Sequence, residues 1–302
     1  MRFPDFFKCA KRPIISFEIF PPKTEKALEN LLQVIPELIE LSPDYITVTY
    51  GAMGSTREKT LEIASLIKQH YNMETACHLT CVGASQREID NILIRIYKAG
   101  IQNIVALRGD PPRGERNFNA PADGYSYAYQ LVEHIRRFER TFIGQENFFG
   151  IAVAGYPEKH IEAPSLEEDI LHLKRKVEAG ADIVITQLFF NNEFYFNFVT
   201  KAKASNISVP IIPGLMPIVS VRQIKRITSM CGATIPPSLQ EELEEAIDDD
   251  EKASEIGIRQ CIKQARELLE NGVPGLHFYV LNKSQHISRI MSAIKPYIYP
   301  RS

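Results

Sequence analysis

One acidic residue interrupts an apolar, strand-like segment near the start of the chain. Glu18 lies inside residues 14–20, and Pro21 and Pro22 end the segment because proline lacks the N–H that a strand hydrogen bond needs. A carboxylate in a buried strand is costly unless it is paired or protonated. Burial raises the pKa of a carboxyl group by up to roughly 3–5 units, which would make Glu18 a general acid near neutral pH. The alternative is that Glu18 points outward or pairs with an arginine for stability.

Polar residues also stand at the ends of several later strand-like segments. They are Thr49 and Tyr50, His78 and Thr80, Arg108 with Gly109 and Asp110, Tyr156, Gln187, and Tyr279 with Asn282. A single residue of this kind is usually structural. In a barrel of parallel strands, however, the carboxyl ends of the strands meet on one face, so the whole set would gather there. It offers an acid, an amide and several hydroxyl groups but no nucleophile, which suits a large planar cofactor and a flat polar substrate.

The third strand-like segment contains a spacing that also occurs in zinc sites. Cys77, His78 and Cys81 are its members, but the segment alternates like a strand and no second cysteine and histidine pair completes a site. The carboxylates and the histidine at the strand ends belong to distant strands and do not resemble a dedicated metal cage. We therefore predict no metal ion.

The fifth long helical segment carries a second polar group. Asp169, His172 and Lys176 follow one another at i, i+3 and i+7, so they share a stripe on the helix. This stripe lies beside the apolar stripe that would face the barrel, not opposite to it. Spacing alone favours an ordinary solvated flank, and a ligand-binding stripe is the alternative.

Strand-like and helix-like segments alternate along the chain, with strand-like residues at 14–20, 45–51, 75–82, 103–110, 148–156, 183–189, 210–215 and 276–281. Strict alternation indicates parallel strands with right-handed crossovers, and eight units favour a (β/α)8 TIM barrel, one α/β domain over residues 1–302. The alternative, an open doubly wound sheet, lacks the Gly-x-Gly-x-x-Gly turn after the first strand. We also predict a functional or flexible loop at 111–124, an extra helical stretch at 236–271, and a kink or break at Pro36.

The composition is that of a globular protein with a large core. The chain has 302 residues, of which 44% are hydrophobic and 24% charged, and its formal net charge is -2. Near-neutral charge gives no reason to expect nucleic acid or an acidic membrane as a partner. No apolar run approaches the roughly 20 residues of a membrane helix, and the first residues do not resemble a signal peptide. Five cysteines without a secreted pattern fit reduced thiols, so we predict a cytoplasmic protein.

Nine short motifs in order along the chain resemble those of methylenetetrahydrofolate reductases. They are FEIFPP at 17–22, VTYGA at 48–52, HLTC at 78–81, ALRGD at 106–110, YPEKH at 156–160, LKRK at 173–176, ITQLFF at 185–190, IPG at 212–214 and HFY at 277–279. Each motif alone is weak, but together they span about 11–294, and most stand at strand ends. The chain length is similar to that of the catalytic barrel without the C-terminal regulatory domain of the eukaryotic enzymes.

The resemblance implies a flavoenzyme of one-carbon and methionine metabolism. NADH or NADPH would reduce a bound FAD and leave, and 5,10-methylenetetrahydrofolate would then receive the hydride to give 5-methyltetrahydrofolate. Glu18 would be the acid that opens the methylene bridge, Asp110 would tune flavin and folate, and Gln187 would contact folate and nicotinamide. We also expect a homo-oligomer. Two alternatives remain, another FAD-dependent barrel oxidoreductase such as a proline-dehydrogenase-like enzyme and a catalytically idle folate- or flavin-binding protein.

The resemblance also assigns the cofactor site. Thr49 would lie near the flavin and nicotinamide, and the FAD contacts would be Tyr50, Ala52, His78, Arg108, Gly109, Asp110, Tyr127, Ala128, Tyr156, His160, Asp169, Arg175 and Lys176. Three positions depart from the family pattern. His172 replaces an asparagine beside FAD, Ile227 stands where some bacterial members have a phenylalanine against the folate, and Lys283 replaces a substrate-binding arginine. The loop 113–124 also matches the family poorly.

Overall fold

A computed structural model describes residues 1–50, 54–109 and 121–299. Within these ranges, eight parallel strands close into a barrel in chain order, because the eighth strand also pairs with the first. The strands are β1 Ile14–Ile19, β2 Tyr45–Val48, β3 Thr75–Thr80, β4 Asn103–Leu107, β5 Gly150–Gly155, β6 Ile183–Leu188, β7 Ile211–Leu215 and β8 Gly275–Tyr279. The predicted (β/α)8 TIM barrel is confirmed.

The α-helices of the described ranges surround the barrel and cover one end of it. They are α1 Phe3–Lys8, α2 Glu25–Glu40, α3 Gly54–His70, α4 Gln86–Lys98, α5 Ala128–Phe138, α6 Leu166–Glu178, α7 Asn192–Ala204, α8 Val221–Cys231, α9 Pro237–Glu244, α10 Asp250–Glu270 and α11 Ser284–Ile298. Helices α9 and α10 are the extra helical stretch that the sequence predicts before β8. A π-helical turn, Glu139–Ile143, extends α5.

Alternation along each strand separates two cores. In β1, Phe17 and Ile19 belong to the large cluster between strands and surrounding helices, whereas Ile14 belongs to the cluster inside the barrel. Ser16 and Glu18 share the inward parity of Ile14, because successive side chains of a strand point to opposite faces. Barrel interiors are usually filled by branched apolar residues, so a serine and a glutamate on this face are a departure that indicates a function.

Helix α1 closes the end of the barrel that lies away from the carboxyl ends of the strands. Phe3 and Phe6 are buried against the ring of Tyr45, with centroids 5.0 and 5.4 Å apart. The amide of Asn103, at the start of β4, accepts a hydrogen bond from Phe3 N at 2.7 Å and donates one to Met1 O at 2.9 Å. Sequence periodicity did not predict this helix, because six residues are too few to show a helical repeat.

Helix α2 runs through Pro36 without a break, contrary to one of the two outcomes predicted there. Proline removes the hydrogen bond to the carbonyl four residues earlier, here that of Leu32. Leu32 is exposed, so water can satisfy the freed carbonyl, while Ile35 and Leu38 on the face that packs into the core remain fully buried. The helix is therefore held by packing where its own hydrogen bonding is incomplete.

Candidate active site

The carboxylate of Glu18 lies at the mouth of the barrel and is anchored through one oxygen. Its Oε2 accepts a hydrogen bond from Thr47 Oγ1 at 3.2 Å and lies 3.2 Å from His277 Nε2 and 3.1 Å from His78 Nε2. The side chain is 14% exposed. Among the described residues, Oε1 has no hydrogen-bond partner. One oxygen is thus fixed by neighbouring strands and the other is available to a ligand.

The electrostatic surroundings of Glu18 differ from the sequence-based prediction. Burial alone would raise the pKa of this carboxyl group, but the adjacent His78 and His277 outweigh burial and hold the pKa well below its ordinary value. The predicted upward shift is therefore wrong for the protein without ligand, and Glu18 is a carboxylate there. His277 is 259 residues away in the chain, so a local reading of the first strand could not include its effect.

A polar column continues from Glu18 into the barrel. His277 is fully buried on β8, with Nδ1 2.8 Å from Ser16 Oγ and its ring edge-on to Tyr279 at 5.2 Å. Sequence reasoning missed Ser16, Thr47 and His277 as site residues. The strand pattern could have indicated them. Ser16 has the same inward parity as Glu18 on β1, Thr47 of β2 pairs with Glu18, and His277 of β8 pairs with Ser16.

A local irregularity in β6 places Gln187. The pairing steps from Ile185 with Ile212 to Leu188 with Gly214, which leaves one extra residue on β6. The Thr186 carbonyl accepts a hydrogen bond from Tyr279 Oη at 2.7 Å, and its hydroxyl accepts one from Gly214 N at 2.9 Å. A Cβ at Gly214 would lie 2.2 Å from Thr186 O and 2.8 Å from the Tyr279 ring, so only glycine admits this packing. The bulge and the tyrosine thus set the wall of the mouth on the side of Gln187.

A second group of charged side chains lies at the ends of β4 and β5 and on α6. Arg108 donates two hydrogen bonds to Glu162, at 2.6 and 2.8 Å. His160 stacks edge-on against Tyr156 at 4.7 Å, and its backbone N–H donates to Asp169 at 2.8 Å. The pKa of His160 is lowered by burial and then by Arg108, while Glu162 and Asp169 oppose the shift, so these charges act on one another.

Lys176 is the cation of this second group that faces the barrel. Its Nζ donates a hydrogen bond to Ala154 O at 2.6 Å and lies 5.8 Å from the centre of the Tyr156 ring. Burial lowers its pKa to about 8, against the opposing effect of Asp169. Within the described ranges Lys176 forms no ion pair shorter than 4 Å. The prediction that spacing alone favoured, a solvated flank, is wrong for Lys176 and Asp169, which are half-buried and buried.

Other predicted residues lie near these two groups or apart from them. Thr49 and Tyr50 are half-buried at the end of β2. Just after β8, the Asn282 side chain accepts a hydrogen bond from Phe20 N at 3.1 Å and donates one to Phe20 O at 2.8 Å. Ile227 is half-buried on α8 and packs against a further cluster of buried residues that includes Leu188, Ile224 and Leu239. The remaining side chains are exposed, apart from the half-buried Ala128: Tyr127 and Ala128 at the start of α5, His172 and Arg175 on α6, and Lys283 at the start of α11. Ala52, Asp110 and most of loop 111–124 lie outside the described residues.

The arrangement fits a large anionic cofactor. Lys176 and Arg108 supply cations suited to a pyrophosphate, and the ammonium of Lys176 contacts a backbone carbonyl, that of Ala154, instead of a carboxylate among the described residues. Gly109 has φ +90, a left-handed conformation that favours glycine and turns its backbone directly after Arg108. Among the described residues no cluster of three or more metal-binding side chains occurs, and no helix is long and apolar enough to cross a membrane.

Comparison with known proteins connects this fold and these motifs with one protein family. The family described as methylenetetrahydrofolate reductase matches residues 3–295. "Methylenetetrahydrofolate reductase (NADH) 1" of Arabidopsis thaliana is 41% identical over 88% of this chain and 46% of its own length. "5,10-methylenetetrahydrofolate reductase" of Escherichia coli K12 is 37% identical over 90% of this chain and 87% of its own length. The chain therefore spans about half of the plant relatives and most of the bacterial one.

A solved structure shares the architecture at lower identity. It is an uncharacterized protein from Clostridium thermocellum that binds two copies of 5-methyl-5,6,7,8-tetrahydrofolic acid. The TM-score is 0.62, with 18% identity over 98% of this chain and 99% of that chain. At this identity the likeness concerns the fold alone. The match across almost the whole barrel, together with the bacterial relative, carries the assignment: this chain belongs to the methylenetetrahydrofolate reductase family.

Proposed function

We propose that this protein reduces 5,10-methylenetetrahydrofolate to 5-methyltetrahydrofolate with NADH or NADPH, by successive half-reactions through a bound FAD. The observation that carries the proposal is the Glu18 carboxylate at the barrel mouth, with Oε2 held and Oε1 open. Family membership supports the substrate class. The alternative of a proline-dehydrogenase-like oxidoreductase is not favoured, because such chemistry does not need an acid at the position of Glu18.

When bound, the flavin supplies the chemistry of accepting a hydride from the nicotinamide and giving it to the folate. The residues of the chain bind and orient. Arg108, His160 and Lys176 would hold the pyrophosphate, Thr49 would lie near the ring, and Gln187 would offer its amide to the nicotinamide or the folate in turn. Asp110, outside the described residues, is proposed to tune the flavin and the folate.

Glu18 is proposed to give the proton on Oε1 to one nitrogen of the methylene bridge, so that the bond between this nitrogen and the bridging carbon breaks and leaves an iminium ion that can accept the hydride. The overall reaction consumes one proton for each hydride that NAD(P)H delivers, so the acid must be reloaded once in every cycle. Because Glu18 is ionised in the protein without ligand, the proton must enter before the folate seats or as it does so. Withdrawal of water by the bound folate favours the uncharged carboxyl form and so assists this loading.

The proposal is tested by separating the half-reactions under anaerobic conditions. Glu18→Gln should leave bleaching of the flavin by NADH or NADPH intact and abolish reoxidation by methylenetetrahydrofolate. Glu193→Gln, on the exposed start of α7, is the matched control and should leave both half-reactions unchanged. A protein that takes up no FAD contradicts the proposal as a whole. Loss of both half-reactions in Glu18→Gln contradicts the role given to Glu18.

Three further features belong to the proposal. We infer a single catalytic barrel over residues 1–302, assembly as a homo-oligomer, and action in the cytoplasm. Gel filtration with light scattering tests the second, and parallel steady-state assays with NADH and NADPH identify the donor. Plant relatives named as NADH enzymes make NADH the first donor to test.

A further inference from the structure

His277 occupies a position where a histidine is difficult to explain by packing. It is fully buried inside the barrel, between Ser16 and Glu18 of the neighbouring strand. An apolar residue of similar volume would fill this position without two polar contacts to satisfy. The ring instead has both nitrogens engaged, one by a hydroxyl and the other by the carboxylate.

The two contacts define how the imidazole is protonated. Facing an ionised carboxylate at 3.2 Å, Nε2 must carry a proton and donate it to Glu18 Oε2. In the neutral ring Nδ1 is then an acceptor, and the Ser16 hydroxyl, at 2.8 Å, can donate to it. The other acceptor of that hydroxyl, Leu276 O, is at 3.5 Å, so the shorter contact is the one to His277. Ser16 thus favours the tautomer that serves Glu18.

Other groups act on Glu18 without holding it in the same way. His78, on β3, lies 3.1 Å from Oε2 but has no directed hydrogen bond there among the described residues. Tyr279, on β8, has its pKa raised by burial and then by the charge of Glu18, while its hydroxyl donates to Thr186. Thr47, on β2, donates a neutral hydrogen bond. Among the described residues, His277 is therefore the titratable side chain with a hydrogen bond to the carboxylate, whereas His78 contributes most to lowering the pKa of Glu18 through its charge.

We propose that His277 is a positioning residue for Glu18, which fixes Oε2, leaves Oε1 directed to the substrate and, together with Ser16, sets how readily the acid releases its proton. This inference rests on the proposed function, because it assigns the acid that the folate half-reaction needs. It concerns how His277 affects the acid, and it can be tested separately from the question of whether Glu18 is the acid. A His277 that only filled space would affect stability and leave the titration of Glu18 unchanged.

The experiment is a pH titration of Glu18 itself and of the folate half-reaction. Glutamate labelled with carbon-13 at the side-chain carboxyl carbon gives an NMR signal for Glu18, identified by its loss in Glu18→Gln. His277→Phe keeps an aromatic ring and removes both nitrogens. The midpoint of the Glu18 titration should therefore rise by about one pH unit or more. The pH at which folate reoxidation declines should move up in parallel, because the protonated acid persists to higher pH. The nicotinamide half-reaction should keep its rate.

Two milder variants keep the test decisive if His277→Phe does not fold. His277→Gln retains an N–H donor, and Ser16→Ala retains the imidazole but loses the group that selects its tautomer. Both variants should raise the midpoint of the Glu18 titration, but by less than the rise expected for His277→Phe. His134→Phe is the matched control, because His134 is a buried histidine with hydrogen bonds to Tyr125 and Asp90 at 2.7 and 2.8 Å on the outer helices. It should leave the Glu18 midpoint unchanged.

The outcomes separate the two proposals. If Glu18→Gln still reduces the folate, the assigned acid and the proposed mechanism fail together. If Glu18→Gln is inactive in that half-reaction while the His277 and Ser16 variants leave the Glu18 midpoint unchanged or lower it, the positioning role of His277 alone is overturned. A raised midpoint with intact flavin reduction supports it.

Discussion

Glu162 provides a test of how the second charged group receives an anionic cofactor. Its carboxylate accepts two hydrogen bonds from Arg108, at 2.6 and 2.8 Å, and therefore occupies the guanidinium face that a pyrophosphate would use. FAD binding through Arg108 must displace it. Glu162→Gln removes the competing charge, so we expect tighter binding of FAD.

The magnitude follows from exposure and geometry. The side chain of Glu162 is 53% exposed and that of Arg108 is 23% exposed, so water screens the pair even though its geometry is bidentate. Exposed ion pairs contribute about 0.2–1 kcal/mol, and this pair belongs at the upper end because of its two short hydrogen bonds. Since 1.4 kcal/mol is a factor of ten, about 1 kcal/mol corresponds to a Kd for FAD lowered about fivefold.

Fluorescence quenching of FAD by the apoprotein measures this Kd directly. The matched control is Glu167→Gln, which breaks the exposed Glu167–Lys201 pair at 2.7 Å near the start of α6 and should leave the Kd unchanged. Raised salt should narrow the difference between Glu162→Gln and the unaltered protein, because screening already weakens the competing pair. Weaker binding by Glu162→Gln would refute the reasoning, since Glu162 would then orient Arg108 for the cofactor.

Two further perturbations test the site. Lys176 should be protonated to hold a pyrophosphate, and its pKa is about 8 without ligand, so FAD affinity should be flat below pH 8 and fall by up to about tenfold per pH unit above it. Lys176→Arg should remove this dependence, and a slope that persists in Lys176→Arg would contradict the assignment. Gly214→Ala should displace the Tyr279 ring and cost about 1–3 kcal/mol of unfolding free energy in chemical denaturation. The control Gly144→Ala has open space around its Cβ and only a left-handed φ of 75, so it should cost about 1 kcal/mol, and equal losses in both would argue against the steric explanation.

Features that depend on local periodicity could be predicted from the sequence. The strands, the barrel and the additional helices before β8 follow from alternation and apolar repeats, and the position of Glu18 on an inward face follows from strand parity. The resemblance also assigned Lys176 and Asp169 to the cofactor site, which stays a prediction, although helical spacing by itself favoured a solvated flank. What these features have in common is that neighbours in sequence determine them.

The parts that could not be predicted depend on distant residues or very short elements. The pKa of Glu18 shifts down instead of up because the closed barrel brings His78 of β3 and His277 of β8 to this carboxylate, and both are distant from it in the chain. The Arg108–Glu162 pair joins two loops that sequence spacing does not relate. The bulge at Gln187 arises from register between β6 and β7, and strand patterns do not encode register at single-residue precision.

The phenylalanines of α1 close the end of the barrel opposite the mouth, and Phe3 is fully buried there. Among the described residues, the route from Glu18 to solvent therefore leads through the mouth of the barrel. A flat ring seated there would itself complete the enclosure and cut the acid off from bulk water. A carboxyl group that takes up its proton before or during this enclosure would then pass it to the substrate instead of returning it to water, so the closed end of the barrel favours the productive direction of proton transfer.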